Sequence, residues 1–113
     1  MHELSLMQSA LDIAMEHAGK AGADRIVSLT LRIGAMSGVV PDALEFAFDV
    51  LKADTIAHDA RLLIDTVPVV CRCARCERDF EAGDLVYVCP SCGRRSADVR
   101  SGREMELASM EVA

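Results

Sequence analysis

The sequence predicts an α+β fold: two helices packed on a three-stranded sheet, interrupted by an inserted, cysteine-rich β module. Three observations carry this expectation. Apolar residues recur at helical spacing in two segments. They alternate at strand spacing in three others. All five cysteines of the 113-residue chain fall between positions 71 and 92.

The elements follow in order. Leu4, Met7, Leu11, Ala14, Ala18 and Ala21 form a stripe that predicts an amphipathic helix over residues 4–21. Ser5 with Gln8 has the form of a capping box, and Gly19 and Gly22 mark the end. Val27, Leu29, Leu31 and Ile33 then alternate with Ser28, Thr30 and Arg32, the pattern of a half-buried strand. A loop runs from Gly34 to Gly38. Pro41 suits a helix's first turn, and Leu44, Ala47, Phe48 and Leu51 give that helix its apolar side, to about residue 53. A second strand occupies residues 61–69, ended or placed at an edge by Pro68. The last segment, Glu104 to Val112, alternates as well. Met105 and Leu107 share one phase and Met110 and Val112 the other, so a bulge near Ala108-Ser109 is expected.

Composition narrows the function classes. Hydrophobic residues make up 51% and charged residues 27%, so a core can form and intrinsic disorder is disfavoured. The aromatics are only Phe46, Phe48, Phe80 and Tyr87, so the core is built from aliphatic side chains and Met. A net charge of −6 argues against free nucleic-acid binding. No apolar run approaches the roughly 18 residues of a membrane span. The opening residues are not those of a secretory leader. A cytoplasmic setting is expected, and there clustered cysteines point to metal or redox chemistry rather than to disulfides.

Two C-x-x-C pairs stand out, Cys73-Ala74-Arg75-Cys76 and Cys89-Pro90-Ser91-Cys92, with twelve residues between them. Two thiolates on one tight turn grip one face of a tetrahedral Zn(II), and a second such turn closes the other face. Gly93 can take a left-handed conformation that aims backbone N–H groups at sulfur. Glu77 holds the equivalent place after the first pair, a less suitable residue. Phe80, Leu85, Val86, Tyr87 and Val88, broken by Ala82-Gly83-Asp84, read as a short hairpin between the pairs. Together these make a zinc-ribbon-like β module, with structural Zn(II) held by Cys73, Cys76, Cys89 and Cys92. A redox dithiol is the competing reading, but neither pair opens a helix after a strand. Cys71 is left over. It could replace Cys73 as a ligand, although the two matching turns favour Cys73.

The ribbon is too small to offer the last strand a sheet. That strand therefore returns to the first domain, which gives a domain of residues 1–69 plus 103–113 and an inserted module of residues 70–102. Residues 1–69 hold five Lys or Arg against ten Asp or Glu, whereas residues 70–103 hold seven Arg against five acids. The arginines read as a solvated surface or a docking face. A late strand crossing an inserted module also suits domain swapping, although a monomer is the simplest state.

The start of the chain is a chelate in outline. A terminal amine, the residue-2 amide nitrogen and the His2 imidazole can reach one metal, with the Glu3 amide as a fourth donor. Such an all-nitrogen set suits Ni(II) or Cu(II) rather than tetrahedral Zn(II). Taken alone, His2 is a weak signal, because a His falls at position 2 by chance in about one chain in 40–50 and a frayed terminus is the plain alternative.

Several features together resemble the HypA/HybF family of nickel-incorporation accessory proteins. They are Met1-His2-Glu3-Leu4-Ser5 opening a helix, Leu31-Arg32-Ile33-Gly34, Leu44-Glu45-Phe46-Ala47-Phe48, the two C-x-x-C pairs, and Gly102-Arg103-Glu104-Met105-Glu106-Leu107. The resemblance covers essentially the whole chain. It implies a nickel metallochaperone for [NiFe] hydrogenase, and in some organisms urease, rather than an enzyme. It implies Ni(II) as transient cargo at Met1, His2 and Glu3, and structural Zn(II) at Cys73, Cys76, Cys89 and Cys92. It also implies the GTPase HypB and the hydrogenase large subunit as partners, with no role for nucleic acid or membrane. His17 and His58 read as surface residues. The competing function is a zinc-ribbon adaptor or nucleic-acid-binding protein without nickel, and a count of bound metals separates the two.

Overall fold

The computed structural model describes residues 2–83 and 87–113. The parts of the readings above that fall on Met1, Asp84, Leu85 and Val86 lie outside the described residues. Eight elements follow in order: α1 (His2–Lys20), β1 (Ile26–Gly34), α2 (Pro41–Leu51), β2 (Arg61–Val67), β3 (Val70–Cys73), β4 (Arg78–Glu81), β5 (Val99–Ser101) and β6 (Met105–Val112). They form two three-stranded sheets, ordered β2-β1-β6 and β4-β3-β5. The expected α+β fold is present, with its two helices, its three-stranded sheet and its zinc-ribbon-like module. The chain divides into two compact units. One holds the chain up to Arg32, Val39–Asp65 and Glu106–Ala113; the other holds Ile33–Gly38 and Thr66–Met105.

In the first unit, α1 buries Met7, Ala10, Leu11, Ala14 and Ala18. Leu4 and Ala21, at the ends of the predicted stripe, are exposed. The helix starts at His2, so Ser5 lies inside it rather than capping it, and the Gln8 amide donates instead to Asp12 Oδ1 at 2.9 Å. The C-terminus closes as a Schellman motif. Ala23 N–H reaches back to Ala18 O at 2.9 Å and Gly22 N–H to Gly19 O at 3.1 Å, with Gly22 at φ 69°.

Ile26, Leu29, Leu31 and Ile33 of β1 are buried, and Val27 is only half-buried. The phase therefore changes early in the strand. Its neighbour β6 changes phase as well, since the half-buried Leu107 and Met110 are three residues apart. Arg25 and Ala113 exchange main-chain hydrogen bonds, and Gly34 N–H donates to Glu104 O at 2.8 Å. Nine residues separate these two pairings on each strand. The expected bulge in β6 thus adds no net residue relative to β1.

Helix α2 carries Leu44, Ala47 and Phe48 into the same core. Its N-cap is Val40, with Pro41 in the first turn and no capping side chain of its own. The unit's core is wholly apolar, since no polar or charged residue among those described is buried. Arg32 lies on the solvent side, 3.6 Å from Asp65 and 3.5 Å from Glu106.

The second unit has a much smaller core of Val69, Cys71, Cys73, Phe80 and Cys89. Strand β3 pairs antiparallel with β4 on one side and with β5 on the other. The hairpin expected between the two C-x-x-C pairs falls largely outside the described residues, which show pairing across each pair. Cys73 faces Arg78 across the first turn, and Val88 faces Arg95 across the second. The reason is geometric. A C-x-x-C turn reverses the chain, so the residues on either side of it are the ones brought into register. At the base of this unit two backbones nearly touch. A Cβ on Gly34 would stand 2.0 Å from Gly102 O, so only glycine fits there.

Candidate metal centre

The two turns bring four sulfurs together. Sγ of Cys73 lies 3.6 Å from Sγ of Cys92, Sγ of Cys89 lies 3.9 Å from Sγ of Cys76, and all four fall within 4.8 Å of one another. Tetrahedral Zn–S bonds of about 2.3 Å would place sulfurs roughly 3.8 Å apart, so the set matches the size of one Zn(II). None of the five cysteines forms a disulfide. Cys73 and Cys89 are buried, and Cys76 and Cys92 are half-buried.

The two turns repeat one arrangement. Backbone N–H groups of Cys76 and Arg75 hydrogen-bond Cys73, and those of Cys92 and Ser91 hydrogen-bond Cys89. The residue after each pair is left-handed: Gly93 at φ 73° and Glu77 at φ 53°. Glu77 therefore adopts the backbone its position requires, although glycine would do so without strain. Its counterpart position in the second pair was the signal available in the sequence.

These hydrogen bonds set the acidity of the thiols. The amides of Cys92 and Ser91 pull the Cys89 thiol down to about 6, and that of Cys76 pulls Cys73 below its ordinary value. Cys76 is pushed up to about 12, first by its hydrogen bond with Cys92 and then by burial. Four thiolates this close repel one another, and a divalent cation removes that repulsion.

Cys71 lies outside the four-sulfur set. It is fully buried opposite Phe80, and burial pushes its thiol up. Among the described residues the only cluster of metal-capable side chains is that of Cys73, Cys76, Cys89 and Cys92.

The chain matches the model of a family described as hydrogenase/urease nickel incorporation, metallochaperone, hypA, over residues 1–112. The chain belongs to the HypA family. Hydrogenase maturation factor HypA of Picosynechococcus is 50% identical over 112 residues, covering 99% of each chain. HypA of Roseiflexus is 45% identical, covering 98% of this chain and 91% of its own. The solution structure of the Ni metallochaperone HypA from Helicobacter pylori superposes with a TM-score of 0.68 at 28% identity, covering 97% of this chain and 96% of its own. As a HypA-family member the chain is a metallochaperone of hydrogenase maturation with a four-cysteine metal site.

At the other candidate site, His2 is the first residue of α1 and its side chain is exposed. The Glu3 carboxylate accepts a hydrogen bond from Val40 N–H at 3.2 Å. Its acidity is raised first by its own backbone N–H and then by that of Val40. Glu3 thus ties the start of α1 to the N-cap of α2, a contact across 37 residues that no local pattern announces. His17 lies in the last turns of α1, and the His58 ring meets Thr55 O at 2.9 Å. No helix among the described residues is long and apolar enough to cross a membrane.

Proposed function

We propose that the chain carries Ni(II) at its N-terminus, through Met1, His2 and Glu3, and delivers it to [NiFe] hydrogenase during maturation, with urease as a second recipient where that enzyme exists. Cys73, Cys76, Cys89 and Cys92 hold a structural Zn(II). The observation that carries this reading is a family match spanning residues 1–112, which takes in both the Met-His-Glu start and the cysteine turns. In this reading nickel binding belongs to residues 1–69 with 103–113 and zinc binding to residues 70–102. The GTPase HypB and the hydrogenase large subunit are its partners in the cytoplasm, and the chain acts as a carrier rather than a catalyst. It works as a monomer, with strand exchange as its route to a dimer.

The start of α1 supports the chelate. The first N–H groups of a helix have no acceptor within it, so enlisting the amides of residues 2 and 3 breaks no helical hydrogen bond. The exposed His2 ring can turn toward them. A carrier must also release its metal. Protons compete for amine, amide and imidazole alike, so affinity for Ni(II) falls steeply with acid.

The test is a metal count and titration on untagged protein. We expect one Zn and one Ni per chain, and loss of nickel binding in His2→Ala with zinc retained. Calorimetry showing unchanged nickel binding in His2→Ala would overturn the assignment.

A further inference from the structure

All seven basic residues between positions 70 and 103 are Arg, and the metal centre uses none of their side chains. Three of them, Arg72, Arg94 and Arg95, line one open groove of about 290 Å³, bordered by Cys73 and Ala74. Main-chain bonds hold the segments that carry them. Cys89 N–H donates to Arg94 O at 2.9 Å, Arg95 bridges to Val88, and the Ser96 hydroxyl donates to Arg72 O at 2.5 Å.

Carboxylates balance the groove's charge only in part, and a zinc-loaded set of four thiolates beside it would add −2. Arg72 has one exposed ion pair, with Asp79 at 3.6 Å. Arg94 and Arg95 have no ion pair among the described residues. The one carboxylate in the lining is Asp98, and it is held by Arg100 at 2.8 Å. The groove thus offers three guanidinium groups whose donors mostly face solvent. Planar guanidinium forks match carboxylates two bonds at a time. No aromatic ring lines the groove, so it lacks the stacking surface of a single-stranded nucleic-acid site.

We infer that the groove of Arg72, Arg94 and Arg95 binds an acidic peptide segment, a short run of Asp or Glu side chains on a partner protein. The groove shares Cys73 with the zinc position and places the partner's chain beside the first cysteine turn.

The experiment is a titration of full-length, zinc-loaded protein, followed by NMR of the arginine Nε–Hε groups. The probes are N-acetylated hexaglutamate amide and inorganic phosphate. We expect hexaglutamate to shift Arg72, Arg94 and Arg95 along one saturating curve that weakens with salt. Inorganic phosphate should bind more weakly. The double variant Arg94→Ala/Arg95→Ala should bind hexaglutamate at least about tenfold more weakly with its zinc count unchanged, whereas Arg25→Ala should bind like the parent. Three results would overturn the inference: shifts spread over all arginines without saturation, phosphate binding as tightly as the peptide, or undiminished binding in the double variant. A lowered zinc affinity in that variant, without saturable peptide binding by the parent, would show the arginines to be counter-charges for the thiolates only. The parent's own spectra decide the matter should the variant fold poorly.

Discussion

The two compact units of this chain are built on different physics. The first buries Met7, Leu11, Ile26, Leu29, Leu31, Leu44 and Phe48 between two helices and a sheet. The core cluster of the second holds, among the described residues, five buried side chains, of which three are cysteines and two of those belong to the four-sulfur cluster. A core of Val69, Cys71 and Phe80 with little else cannot offset the conformational entropy of some forty residues, at roughly 1–2 kcal/mol each for the backbone. In the proposed reading, a metal ion at the four sulfurs supplies what apolar area does not. Size alone does not decide how a folded unit is held together; the chemistry of the few buried side chains does.

The strongest way to break this contrast is to withdraw the metal. Chelation should unfold the ribbon and leave the helical unit folded, a loss on the order of 10 kcal/mol of metal-linked folding energy. Amide NMR reads it directly: resonances of β3, β4 and β5 should collapse to random-coil positions while those of α1 and α2 stay dispersed. A ribbon that keeps its dispersion after zinc removal would end the contrast.

The converse experiment attacks the apolar unit. Leu29 is fully buried, so Leu29→Ala should cost about 2–5 kcal/mol. A denaturant titration followed by circular dichroism measures the loss, and the zinc content of the folded protein should not change.

Cys71 sharpens the comparison, because it is a cysteine placed as a core residue. Cys71→Ala should lower ribbon stability by about 1–2 kcal/mol through a small cavity and keep one zinc per chain by elemental analysis. A variant that loses its zinc would make Cys71 a ligand.

The smallest effect is expected at the first cysteine turn. Glu77→Gly relieves a left-handed backbone at a non-glycine residue, worth about 1–2 kcal/mol, against the entropy glycine loses on folding. A net gain of about 0.5–1 kcal/mol should appear as slower zinc release to a chelator. Faster release would show that the Glu77 side chain contributes more than its backbone costs.

Local pattern carried the sequence reading a long way. The Leu29-Leu31-Ile33 alternation, the Leu44-Ala47-Phe48 spacing and the C-x-x-C turns each reside in a few neighbouring residues, where the period of the backbone decides which side chains share a face. Readings that weighed one local rule against another fared worse. Ser5 looks like a cap, but the helix begins at His2. The strand pairing that the cysteine turns themselves create, Cys73 with Arg78 and Val88 with Arg95, is not marked by any alternation.

By itself, the sequence determined the two helices and the strands β1, β2 and β6, the α+β class and the grouping of four cysteines into two turns. Those depend on periodicity and on chelate spacing, which act over a handful of residues. Only the tertiary structure decided that Cys71 points away from the sulfur cluster into the core, that Glu3 reaches Val40, and that Gly34 must clear Gly102. It also decided that arginines from β3 and from the second turn share one groove. Each of these is a contact between segments tens of residues apart, fixed by how the strands return and pack rather than by any local preference of the chain.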